Sequence, residues 1–191
     1  MVSQARYLMT LFHFSALRWV VMFAPLVVVF MFSARIHSMR TSTAQGVFWL
    51  FSALMGLSIS YIFLAYTGTS IARVFFVTAA SFAGLSLYGY TTKRNLSGIG
   101  TFLTMGLIGL VVASLVNIFL QSTMMHFVIS AVGVLVFAGL TAYDTQSIKL
   151  SYFSGDSGDT QTKKAIFGAL RLYLDFLNLF MFLLQFLGNR N

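Results

Sequence analysis

Six long apolar runs, separated by short polar breaks, govern what this chain can become, because a helix needs about 20 mainly apolar residues to cross a bilayer. The runs fall at about 16–34, 46–66, 72–91, 99–120, 126–150 and 164–187, with no alternation of the kind a barrel strand shows. They leave no room for a separate soluble domain, so residues 1–191 read as a single all-α polytopic membrane domain, a bundle of six spans. Only 8% of the 191 residues are charged and 58% are hydrophobic, against about a quarter charged in a soluble domain. The same composition excludes disorder.

The residues present exclude further chemistry. There are 0 Cys, so no thiol, disulfide or cysteine-zinc chemistry is available. His13, His37 and His126 lie scattered at span ends and form neither an HExxH site nor a Ser-His dyad. The chain therefore reads as a non-enzyme with no covalently bound cofactor. The net charge of +8 is on such a protein a topology signal, and no aromatic-basic pattern points to nucleic acid.

Counting Lys and Arg on alternate sides places Arg35, Arg40, Lys93, Arg94, Lys149, Lys163 and Lys164 on one face, against Arg6, Arg18, Arg73 and Arg190. The richer face, with the loops after spans 1, 3 and 5, is expected in the cytoplasm. Pro25, the only proline, lies inside the first span, where it kinks the helix or serves as a hinge. The longest connection, Ser154 to Thr160, holds Asp156 and Asp159 but lacks the spacing of a calcium loop, and reads as a mobile hydrated connector. Small residues four apart, Ser52/Gly56/Ser60, Ala80/Gly84 and Gly109/Ala113, predict close helix approach.

Ionisable groups inside a span are costly unless paired or hydrated. Asp144, in LTAYDTQSIK, and Asp175, in LYLDFLNLF, are the two acids that meet this description. With interfaces near Ser151 and Ala165, a 1.5 Å rise puts them about 10 and 15 Å deep, so antiparallel neighbours bring them together. Two touching carboxylates in poorly hydrated surroundings cannot both ionise cheaply, which makes the pair a proton-sensitive latch. They also offer oxygen ligands to a hard cation such as calcium, which needs six or more. The plainer alternatives pair Arg171 with Asp175 within one helix and Asp144 with Lys149. Asn117, Ser58, Ser60, Thr78 and Asn178 could line a polar path or simply bond a neighbouring helix.

The segments from FWLFSALMGLSISYIFLAYTGTSIARVFF onward, LVFAGLTAYDTQSIK and GALRLYLDFLNLFMFLLQFLGNRN resemble the bacterial branch of the Bax inhibitor-1 (transmembrane Bax inhibitor motif) family from about residue 16 to the end. The resemblance implies a seven-helix fold with a central last helix, placed in the inner membrane, and a pH-sensitive calcium leak in which Asp144 and Asp175 form the proton-sensing pair. It matches Arg35 to the family's arginine at the cytoplasmic end of the helix before the polar loop, an interfacial anchor that could swing inward as a latch. A second acid-arginine bridge of some relatives would fall at Ala24 and Gln185, and is absent. The family's first helix is expected to be shortened or missing, with residues 1–15 as its remnant. The resemblance also leaves a competing reading, a non-transporting regulator that docks on a membrane quality-control protease through the basic loops.

Overall fold

A computed structural model describes residues 27–36 and 38–191. The expectations for Pro25, Ala24, the two earlier histidines and residues 1–15 lie outside that range. Residues 27–35 are helical. They are followed by α1 (Thr41–Ile59), α2 (Ile62–Ala65), α3 (Gly68–Thr91), α4 (Ser97–Leu120), α5 (Thr123–Ser151) and α6 (Gly158–Leu187). Among the described residues, five stretches are long and apolar enough to cross a membrane: Thr41–Ala65 and the helices α3 to α6. Helix is what such a sequence must form there, since lipid offers no partners to backbone N–H and C=O groups.

The ends of the elements follow local chemistry. The hydroxyls of Thr67, Ser122 and Ser157 cap α3, α5 and α6 by accepting from the backbone N–H groups of Ser70, Met125 and Thr160 at 3.3, 3.2 and 3.3 Å. Between α4 and α5 the chain turns in two residues. Gln121 takes φ 49° there, and the Asn117 side chain accepts from the backbone N–H of Ser122 at 3.0 Å. Asn117 thus braces a turn. The loop expected at 154–160 is shorter than its composition suggests, because Ser157 caps α6 and the helix begins at Gly158. Both its acids are paired, Asp159 with Lys163 at 2.8 Å and Asp156 with Lys164 at 2.5 Å.

The chain forms two compact units, Met1–Tyr61 and Ile62–Asn191. In the first, the buried side chains among the described residues include Phe32, Ile36, Ala44 and Phe51. In the second, α5 packs against α3, α4 and α6, and α6 packs against α5 and α3. The last helix has the most buried apolar window, 39% against 11% for α4, as a central helix requires, and α5 shares the centre with it. Their core includes Val136, Phe137, Leu140, Leu179, Phe180 and Leu184. Outward-facing side chains such as Phe119 and Leu135 remain 87% and 72% exposed, the surface that lipid rather than water accommodates.

The close helix approaches are not where the four-residue spacing places them. Among the described residues, a Cβ on Gly56, Gly84 or Gly109 would meet nothing within 4 Å. A Cβ on Gly89 would stand 2.1 Å from the Ala142 carbonyl oxygen, and one on Gly133 would stand 2.6 Å from the Phe182 ring. Spacing marks a smooth stripe but not which helix crosses it. Ala80 and Gly84 instead border an open cavity of about 420 Å³ between α3, α5 and α6.

Polar ties hold the two ends of the second unit. At one end, Gln146 donates to the Arg94 carbonyl and accepts from the Leu96 N–H, both at 2.8 Å. Lys149 donates to the Tyr90 carbonyl at 2.7 Å and lies over the Tyr90 ring. At the other end, the backbone N–H groups of Thr67 and Asn191 donate to the carbonyls of Asn189 and Ala65, each at 3.1 Å. The C-terminal residues are thereby fastened to the α2–α3 junction.

Candidate functional site

Among the described residues, the seam between α5 and α6 carries the buried charged groups. Asp144 lies seven residues before the end of α5, and Arg171 and Asp175 lie one turn apart on α6, so all three face one another across an antiparallel contact. Both aspartates are buried, 6% and 5% exposed, and near enough for each to act on the charge of the other. The two acids that depth alone places near each other thus lie on the same seam.

Arg171 does not take the partner expected of it. Its Nε donates to Asp144 Oδ2 at 3.0 Å and its Nη2 donates to Asp144 Oδ1, a two-pronged ion pair between helices rather than a bridge to Asp175 within α6. Its remaining nitrogen, Nη1, reaches the Ser147 hydroxyl at 3.5 Å. The reason is directional. With the acid C-terminal to the base, the one-turn pair within α6 has the less favourable orientation, whereas Asp144 presents both carboxylate oxygens to the guanidinium fork across the seam. Lys149, the partner suggested for Asp144, is committed to Tyr90 one turn nearer the helix end.

Asp175 is left with less. Its Oδ2 is buried and has no hydrogen-bond partner among the described residues, a costly condition for a carboxylate. The site thus holds two carboxylates and one guanidinium, with Asp144 neutralised and Asp175 beside it without a counter-ion of its own. Among the described residues no group of three or more His, Cys, Asp or Glu could hold a metal ion. Two aspartates supply at most four of the six or more oxygens that calcium takes, so carbonyls, hydroxyls or water must supply the rest.

The other expected residues sit elsewhere. The Asn178 amide donates to the Leu174 carbonyl at 2.8 Å within α6, and Asn178 borders a second cavity, of about 220 Å³, between α4, α5 and α6. Thr78 and Ser60 likewise bond carbonyls of their own helices, Val74 at 2.8 Å and Leu57 at 2.7 Å. Arg35 is exposed in the first unit, its carbonyl accepting from the Ser38 hydroxyl at 2.9 Å. Ser147 and Gln146 were not singled out from the sequence. The signal for Ser147 was its place three residues after Asp144, on the same helix face.

The sequence profile described as inhibitor of apoptosis-promoting Bax1 matches residues 1–191. The chain is 51% identical over 169 residues to the inner membrane protein YbhL of Escherichia coli, covering 87% of this chain and 72% of that one. It is 49% identical over 171 residues to an uncharacterized protein of Rickettsia prowazekii, covering 90% and 72%. An uncharacterized membrane protein of Streptococcus pyogenes serotype M1 is 42% identical over 166 residues, covering 87% and 72%.

Proposed function

This chain belongs to the Bax inhibitor-1 family, and from that membership we propose that it is a pH-sensitive calcium leak of the inner membrane, gated by Asp144 and Asp175. The observation that carries this reading is the juxtaposition of the two buried carboxyl groups on α5 and α6. Proton, calcium ion and bilayer are then its partners, and the location follows that of the relative YbhL, named as an inner membrane protein.

Arg171 neutralises one carboxylate of the pair. At low pH the second is protonated, the seam carries no net charge, and α5 and α6 stay together. As pH rises the second carboxyl ionises, and a buried negative charge is left that only separation, hydration or an incoming cation relieves. A cation then passes between the helices on the side of Asn178. The test is calcium flux into liposomes across a pH series for Asp144→Asn and Asp175→Asn. Each variant is expected to flatten the pH response, and full retention of it in both ends the proposal.

The competing reading, a regulator that docks on a membrane protease through Lys93, Lys163 and Lys164, draws on the basic end of the second unit. Lys163 and Lys164 are already engaged by Asp159 and Asp156, which ranks it second. A pull-down in which the three lysine substitutions abolish capture while Asp175→Asn leaves both capture and flux unchanged would reverse that order.

A further inference from the structure

The leak reading asks the two aspartates to meet a divalent cation, yet the structure already places a positive charge on one of them. A carboxylate has two oxygens, and Arg171 engages both oxygens of Asp144, Nε on Oδ2 at 3.0 Å and Nη2 on Oδ1. Its third nitrogen faces the Ser147 hydroxyl at 3.5 Å. A calcium ion bridging Asp144 and Asp175 would have to share oxygens that the guanidinium already holds, and would stand within a few ångströms of its charge in a place with little water to screen it. Asp175 Oδ2 is a buried acceptor with no partner among the described residues.

We infer that Arg171 is a tethered competitor for the cation site, so that a divalent ion bridges Asp144 and Asp175 only when the guanidinium withdraws from Asp144. This rests on reading the two aspartates as a cation-contacting pair. A way out for the side chain exists: the Arg171 side chain remains 32% exposed while that of Asp144 is 9% exposed, and it sits one turn nearer the N-terminal end of α6 than Asp175. A long side chain so placed can carry its charge toward the helix end while its stem stays packed. Arg171 is thus a positioning residue that sets when, and for which ions, the carboxylates are available. Monovalent ions, which gain less from the pair, displace it less readily.

The experiment is radiocalcium binding to the purified full chain in detergent, at neutral pH, for the unsubstituted protein and for Arg171→Gln, Arg171→Lys and Arg171→Gln/Asp175→Asn. Arg171→Gln is expected to bind calcium on the order of tenfold more tightly. Arg171→Lys, which keeps the charge but cannot span both oxygens, gains about threefold. The double substitution loses the gain. Arg171→Gln binding calcium no better than the unsubstituted chain, or neither binding it at all, overturns the inference. If Arg171→Gln does not fold, Arg171→Lys decides in the same way, by gain or by none. The leak reading fails separately, on liposome flux indifferent to both aspartates, whereas unchanged binding in Arg171→Gln beside aspartate-dependent flux removes the competitor role alone.

Discussion

Two contacts made by the same turn of α5 close by opposite means. Toward α3, Ala142 lies against Gly89 so tightly that no Cβ fits between its carbonyl oxygen and the glycine. Toward α6, two residues on, Asp144 is held by the forked guanidinium of Arg171 beside the unpartnered Asp175. The first is a contact of shape, fixed by the absence of a side chain, and it has no dependence on protons or ions. The second is a contact of charge in poorly hydrated surroundings, and its energy changes whenever a proton or cation arrives. A helix with one rigid neighbour and one conditional neighbour is a reasonable way to confine a response to a single seam.

The sharpest way to break this contrast is Arg171→Leu. It leaves the buried carboxylates without a counter-ion, and the folded chain should lose about 3–5 kcal/mol at neutral pH. Thermal unfolding in detergent should show that deficit shrinking as pH falls, because a protonated Asp144 needs no cation. A deficit independent of pH would mean that Arg171 acts by packing alone. Next in size, Gly89→Ala forces α3 away from Ala142 and should cost about 1–3 kcal/mol, equally at every pH and calcium concentration. A pH-dependent loss there would show the two contacts to be one coupled unit. Least of all, Gly84→Ala adds a methyl group where nothing stands within 4 Å. The change should fall within about 1 kcal/mol of zero and lean toward stabilisation, since alanine is the better helix former. A marked loss in unfolding temperature would imply that another element closes on that face.

Much of the fold was legible because its physics is local. Runs of apolar residues long enough to span, broken at Thr67, Ser97, Ser122 and Ser157, predict helices whose observed ends differ by a few residues. The largest shift is at α6, where a run of polar residues at 158–163 reads as loop but is held in helix by the Ser157 cap and the Asp159–Lys163 pair. Burial of Asp175 was legible too, from its apolar surroundings in sequence, and that of Asp144 from its distance to the end of its run. The partner of Arg171 was not. Spacing offered Asp175 one turn away and gave no information about Asp144, 27 residues distant on another helix. The small-residue stripes carry limited information for the same reason: among the described residues a Cβ on Gly84 or Gly109 would meet nothing within 4 Å, whereas Gly89 and Gly133 lie in close contacts.

By itself the sequence determined that this chain is a multispanning helical protein with two acids among its apolar runs, because hydropathy and backbone hydrogen bonding act along the chain. Which guanidinium faces which carboxylate, and which glycine lies under a neighbouring backbone, was decided only by tertiary structure. Those relations depend on the rotation and stagger of one helix against another, and these are set by the packing of the whole surface rather than by any one residue.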